Sequence, residues 1–185
     1  MRKDFGANPW FYPLPVLIIA TYNDDGSANA MNAAWGGLYD THLVELCLSH
    51  DHRTTKNILA KGAFTVSFGD AAHTAACDYV GLVSGNDTPD KMEKAGFTTE
   101  KSRFVDAPVI RELPVALECQ YVRTTQEGNI IGRIVNISAD DAVLDDGGKI
   151  DVEKLQPIAF EPVHNGYHVL GQRVGNAFRD GLTLK

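Results

Sequence analysis

The chain has 185 residues, 44% of them apolar and 22% charged, with 17 Lys plus Arg against 24 Asp plus Glu and a formal net charge of -7. That length suits one domain spanning residues 1–185 with a core of its own, and an acidic balance without a basic stripe argues against nucleic acid or an anionic membrane surface as the main partner. The longest apolar run, Leu14 to Ala20, is too short to cross a bilayer, and Met1-Arg2-Lys3-Asp4 leads into no signal-peptide core, so a cytoplasmic protein with Cys47, Cys77 and Cys119 reduced is expected.

Leu14 to Thr21 reads as a strand, Asn23-Asp24-Asp25-Gly26 as a hairpin turn, and Ala28 to Trp35 as the return strand, ended by Trp35-Gly36-Gly37. This second strand lacks bulky β-branched side chains, and small residues let a flat object lie against the backbone. The apolar run Leu43 to Leu48 follows, then the turn Ser49 to Thr55, a helix over Thr54 to Lys61, and a strand over Ala63 to Phe68.

Ala71 to Tyr79 reads as helical and Gly81 to Asp87 as loop. A short helix follows over Thr88 to Ala95, with Asp87 or Thr88 as cap and Pro89 in its first turn. Pro108 and Pro114 bracket a connecting segment. Val115 to Thr125 and Asn129 to Ser138 are long strands, Leu144 to Ile150 is a turn, Pro157 to Glu161 and Tyr167 to Leu170 are the last strands, and Arg173 to Phe178 forms a final helical turn. Many strands with few short helices point to a mainly β protein, a closed or nearly closed antiparallel barrel with helical insertions.

The stretch from Ala28 to Thr55 carries the functional signal. Free N–H groups at a helix start, the guanidinium of Arg53 and the hydroxyls of Ser49, Thr54 and Thr55 together make a receptor for a phosphate monoester. A phosphate at one end and a flat group against Ala28–Trp35 at the other describe a mononucleotide. The competing reading is an ordinary surface helix capped by Asp51 or Thr54, with Arg53 in water.

Other chemistries are absent from the sequence. There is no Walker-type phosphate loop and no glycine-rich dinucleotide fingerprint after a strand. Ser84 lacks a nucleophile elbow, and Asp145-Asp146-Gly147 lacks the alternating oxygen ligands of a calcium loop. His164 and His168 sit beside Pro162 and Gly166, where helical ligand spacing is not established, and His50 and His52 flank Asp51 in a turn, so no metal site is expected.

Together the residues resemble the flavin reductase-like, FMN-binding split-barrel family, and within it the flavoredoxins. The resemblance runs through Leu14-Pro15-Val16, Asp25-Gly26, Asn29-Ala30-Met31-Asn32-Ala33-Ala34-Trp35, Arg53-Thr54-Thr55-Lys56-Asn57-Ile58, Gly81-Leu82-Val83-Ser84-Gly85 and Asp90-Lys91. It continues through Ala107-Pro108, Leu117-Glu118-Cys119, Ile131-Gly132-Arg133-Ile134-Val135 and Tyr167-His168-Val169-Leu170-Gly171.

This resemblance implies a six-stranded Greek-key barrel that forms a homodimer, with one FMN per subunit near the interface. Carried over residue by residue, Asn29, Met31, Asn32, Ala33, Ala34 and Trp35 would face the isoalloxazine, largely through backbone, with Asn32 towards its pyrimidine edge. Ser49, His50, Arg53, Thr54 and Thr55 would hold phosphate and ribityl. Lys91 would reach the flavin or stand as a solvated helix lysine, and Tyr167 and His168 would lie beside the flavin or merely pack. The implied activity is oxidoreduction in which NADH or NADPH reduces the bound FMN and a second flavin or a protein accepts the electrons, the cofactor carrying the chemistry. The alternatives are an electron carrier of the flavoredoxin kind that NAD(P)H does not reduce, and a non-catalytic cofactor-binding module.

Overall fold

The computed structural model describes residues 1–184. Its first half runs β1 (Leu14–Pro15), β2 (Leu17–Tyr22), β3 (Ala28–Ala33), β4 (Gly36–Asp40), β5 (Leu43–Leu46), α1 (Arg53–Lys61), β6 (Ala63–Phe68) and α2 (Thr74–Leu82). The second half runs α3 (Lys91–Ala95), β7 (Thr99–Lys101), β8 (Pro108–Ile110), β9 (Val115–Thr124), β10 (Ile130–Ala139), α4 (Val152–Leu155), β11 (Ile158–Glu161) and β12 (Gly166–Val169). The mainly β class with short helical insertions is the one the sequence implied.

Seven strands form one antiparallel sheet in the order β3-β2-β6-β9-β10-β5-β4. Its two edge strands, β3 and β4, are consecutive in the chain and joined only by Ala34 and Trp35. The sheet therefore curls until its edges come within two residues of each other, which is the split of a split barrel. The strand β4 was not expected, because Gly36 and Gly37 read as a stop. Instead they pair with Leu46 and Glu45 of β5. A Cβ at Gly36 would stand 2.9 Å from Glu45 O and from Leu46 Cδ2, so glycine is what allows this close approach.

The single run read over Leu14 to Thr21 is divided by Val16 into two strands. β1 pairs with β11, while β2 pairs with β3 and β6. Pro15 has no N–H to continue a ladder, so the break falls where the chemistry allows it. β2 is buried on both faces, which explains its continuous apolar sequence. Leu17 and Ile19 point into the curl with Val44, Leu46, Phe64, Val66 and Ile130, where Ile58 of α1 joins them. Ile18 and Ala20 point outward with Ala30, under Cys77 and Val80 of α2 and Met92 of α3. Each such fully buried aliphatic or aromatic side chain contributes about 1.5–3 kcal/mol.

Smaller differences have local causes. The helix α2 runs to Leu82, into the stretch read as loop, and α3 begins at Lys91, three residues after Thr88. β7 and β8 form a hairpin inside the segment read as connecting. The last helical turn falls at Asp180–Leu184 rather than at Arg173 to Phe178. Among the described residues no helix is long and apolar enough to cross a membrane. The three cysteines are free, with Cys77 and Cys119 buried and Cys47 exposed.

Candidate functional site

α1 starts at Arg53 without a side-chain cap. Its N-cap is His52, in extended conformation, and neither Asp51 nor Thr54 caps the helix. Thr54 Oγ1 instead accepts a hydrogen bond from Asn29 Nδ2 at 2.8 Å, and Thr55 Oγ1 donates to Ser49 O at 2.7 Å. The first helical hydrogen bond is from Lys56 N to His52 O, so the N–H groups of Arg53, Thr54 and Thr55 have no backbone acceptor. The ordinary capped surface helix is thereby ruled out. What remains is an uncapped helix start, whose N–H groups and dipole favour an anion.

This helix start opens on a cavity of about 170 Å³ lined by Asn29, Met31, His52, Arg53, Thr54, Val80, the segment Gly81 to Gly85 at the end of α2 and beyond it, and Lys91. The half-buried Arg53 has no acidic side chain within ion-pair distance among the described residues. Lys91 is only 3% exposed, and its Nζ donates to Val80 O at 3.1 Å and Val83 O at 2.9 Å rather than to a carboxylate. Burial among these neutral groups pushes its pKa down to about 8. Two cationic side chains and the uncapped helix start at Arg53 and Thr54 thus line one small cavity whose lining contains no acid.

Asn29 is buried, and its Oδ1 has no hydrogen-bond partner. Such a carbonyl typically costs about 1–3 kcal/mol unless a ligand or water supplies a donor. The loop is held over the cavity from both ends. Asn86 Nδ2 donates to Asp51 O at 3.0 Å, and Gly85 lies so close to Asn29 that any Cβ there would collide with Oδ1. At Gly81 a Cβ would stand 2.9 Å from Asn32 Cβ. Both glycines are therefore required where the end of α2 and the loop after it pass over β3. Gly81, Val83 and Gly85 were not among the expected site residues, although their glycine spacing between two helices was visible in the sequence.

The remaining expected residues divide into groups. Met31 and Ala33 lie on the barrel-facing side of β3, against the inner core. Asn32 turns the other way and donates to Cys77 O of α2 at 3.0 Å. Tyr167 reaches α2 as well, its hydroxyl donating to Asp78 Oδ1 at 2.7 Å. Burial, with Asp78 beside it, raises the phenol to about 12. Sequence reading did not find Asp78, which has no motif around it. The outward face of β3 is thus covered by α2, so a flat ligand would have the strand's unpaired edge and its C-terminal end.

That end is open. Ala34 and Trp35 line a second, shallower groove of about 470 Å³ together with Phe11, Pro13, Gly37 and Leu38. Trp35 is 56% exposed. Asn29 and Trp35 thus stand towards opposite ends of β3 and the bend that follows it. Ser49 and His50 lie exposed on the turn before α1, and His168 is exposed on β12. Among the described residues no cluster of three or more His, Cys, Asp or Glu could hold a metal ion.

A family model described as flavin reductase like domain matches residues 11–154. Among solved structures, flavoredoxin of Desulfovibrio vulgaris (Miyazaki F) superposes with a TM-score of 0.94 at 33% identity, covering 98% of this chain and 100% of that one. Flavoredoxin from Methanosarcina acetivorans gives 0.89 at 28% identity, with 100% of each chain covered. An uncharacterized protein of Aquifex aeolicus is 29% identical over 159 residues, 79% of each chain.

Proposed function

Since the chain belongs to the flavin reductase-like domain family, we propose that it is an FMN-binding oxidoreductase reduced by NADH or NADPH, with a second flavin or a protein as electron acceptor. The observation that carries the FMN reading is the acid-free cavity at the uncapped start of α1, lined by Arg53, Thr54 and Lys91. Arg53 would hold the phosphate, with Thr54, Thr55, Ser49 and His50 around it. Asn29, whose Oδ1 lacks a partner, would take a donor from the ribityl chain, and the edge of β3 from Met31 to Trp35 would support the ring. The bound flavin supplies hydride acceptance at N5 and electron transfer. The chain's own part is to bind and orient, and no side chain serves as general acid or base.

Lys91 places a positive charge beside the cavity at neutral pH, and the segment Gly81–Gly85 forms one of its walls. The functional unit is a homodimer in the cytoplasm, a reading supported by the free thiols and by the apolar groups left exposed beside the site, Trp35, Leu38 and Tyr39. A second reading, an electron carrier that NAD(P)H does not reduce, is favoured by the extent of the match to flavoredoxin.

An absorption spectrum under argon, before and after NADH and then NADPH, tests both. Flavin bands that bleach with either nucleotide support the reductase and identify its donor. Bands that persist until a chemical reductant is added support the carrier, and absence of flavin bands after FMN has been supplied removes both readings.

A further inference from the structure

The C-terminal segment beyond β12 has no partner in its own subunit. Every residue from His168 to Leu184 is exposed, and the exposed side chains include Val174 at 100%, Phe178 at 101% and Leu184 at 90%. Yet the segment has a shape. The Arg173 guanidinium donates to Asn176 Oδ1, Asn176 N donates to Asp180 Oδ2 at 2.7 Å, and Leu182 N donates to Arg179 O at 2.9 Å. Phe178 sits at φ 62, a left-handed conformation uncommon for a bulky residue. These local bonds hold a hook that points its apolar side chains away from its own barrel.

The same chain carries an apolar groove without an occupant. It is a cavity of about 310 Å³ lined by Leu14, Val16, Phe68, Leu155, Ile158 and Leu170 among others, without a charged side chain. Leu170, the root of the arm, stands at its lip, tied by its N–H to Pro157 O at 3.2 Å. Resting on the dimer reading above, we propose that residues 171–184 of each subunit cross to a second copy of this chain and seat Val174 and Phe178 in that groove of the partner.

Three features favour a second copy as the occupant. Because the groove adjoins the arm's own root, a two-fold axis beside Leu170 brings each arm to the other's groove in a closed, self-complementary exchange. The reach suffices for an axis close to the root, since Val174 and Phe178 stand four and eight residues beyond Leu170, at most about 14 and 29 Å of chain. Charge also fits. The arm carries Arg173 and Arg179 against Asp180, in a chain whose formal net charge is -7, so a cationic arm meets an anionic body. The arm lies beyond the residues matched by the family model, 11–154, within the length that the two flavoredoxin structures share with this chain.

The test compares the full chain, a form ending at Leu170, and the full-length variants Val174→Asp and Phe178→Asp by analytical ultracentrifugation over micromolar concentrations. Circular dichroism of each establishes that the barrel is intact. A dimeric full chain is expected, with truncation raising the dissociation constant at least about 100-fold, as loss of several buried apolar side chains per arm requires. Each point variant is expected to raise it at least about 10-fold. A full-length dimer whose truncated form dimerises equally well overturns the arm exchange and leaves the dimer reading standing. A monomeric full chain, whether free or carried down by phosphatidylglycerol vesicles, overturns both.

Discussion

Replacing Lys91 by methionine keeps the length of the side chain and removes its charge. In the wild type the ammonium is buried between two carbonyls, and its pKa falls from the ordinary 10.5 to about 8. At about 1.4 kcal/mol for each tenfold change in equilibrium, carrying the charge into the fold costs about 3 kcal/mol. The pKa is lowered on folding, so between pH 8 and 10.5 the unfolded chain binds more protons than the folded one. Wild-type stability therefore rises with pH across that window relative to Lys91→Met. Below pH 8 the full cost is present, and above 10.5 it has gone.

Against the relief at neutral pH, the variant leaves Val80 O and Val83 O without their donor, at about 1 kcal/mol each. Near pH 7 the variant should match the wild type or exceed it slightly, and by pH 10.5 it should be less stable by about 2 kcal/mol. The assay is guanidinium unfolding of both apoproteins at closely spaced pH values. Burial pushes the thiols of Cys77 and Cys119 up to about 12, which lowers stability above the ordinary thiol value of 9.0 as the unfolded chain ionises first. Both proteins share that effect, so it cancels in the difference. A difference that stays constant from pH 7 to 10.5 would refute the reasoning, since it would mean the ammonium is not desolvated.

Other outcomes follow from the same geometry. Arg53→Ala removes a charge-assisted contact to the phosphate and should weaken FMN binding by about 1.5–3 kcal/mol; unchanged affinity by fluorescence titration would displace the phosphate from α1. Gly85→Ala forces a Cβ onto Asn29 Oδ1 and should destabilise the fold by about 1–3 kcal/mol, read from urea midpoints, while Gly171→Ala, with nothing near it, should not. A thiol reagent should label Cys47 quickly in the native protein, and Cys77 and Cys119 only with unfolding, because those two are buried; fast labelling of all three would contradict the packing of Cys77 in α2 and of Cys119 inside the barrel.

How much of this could be read from the sequence differs from element to element. The long strands β9 and β10, the helix α1 and the hairpin at Asp25-Gly26 announce themselves, because apolar periodicity and turn chemistry are local. β4 does not, since glycines read as a stop until β5 supplies their pairing partners. Arg53 could be named from the strand-to-helix turn alone. That no side chain caps α1, and that Asn29 caps nothing but instead holds Thr54, depends on where β3 lies.

The β class, a helix over Thr54 to Lys61 and the small-residue strand were legible from sequence alone, because each rests on the conformational preferences of neighbouring residues. Only the tertiary structure decided that Lys91, Arg53 and Asn29 share one acid-free cavity, that α2 covers the outer face of β3, and that Asn32 and Tyr167 are engaged with that helix. These residues lie up to 138 positions apart, from Asn29 to Tyr167. Burial and charge balance at such separations are properties of the packed core, where the removal of water sets what each polar group must find as a partner.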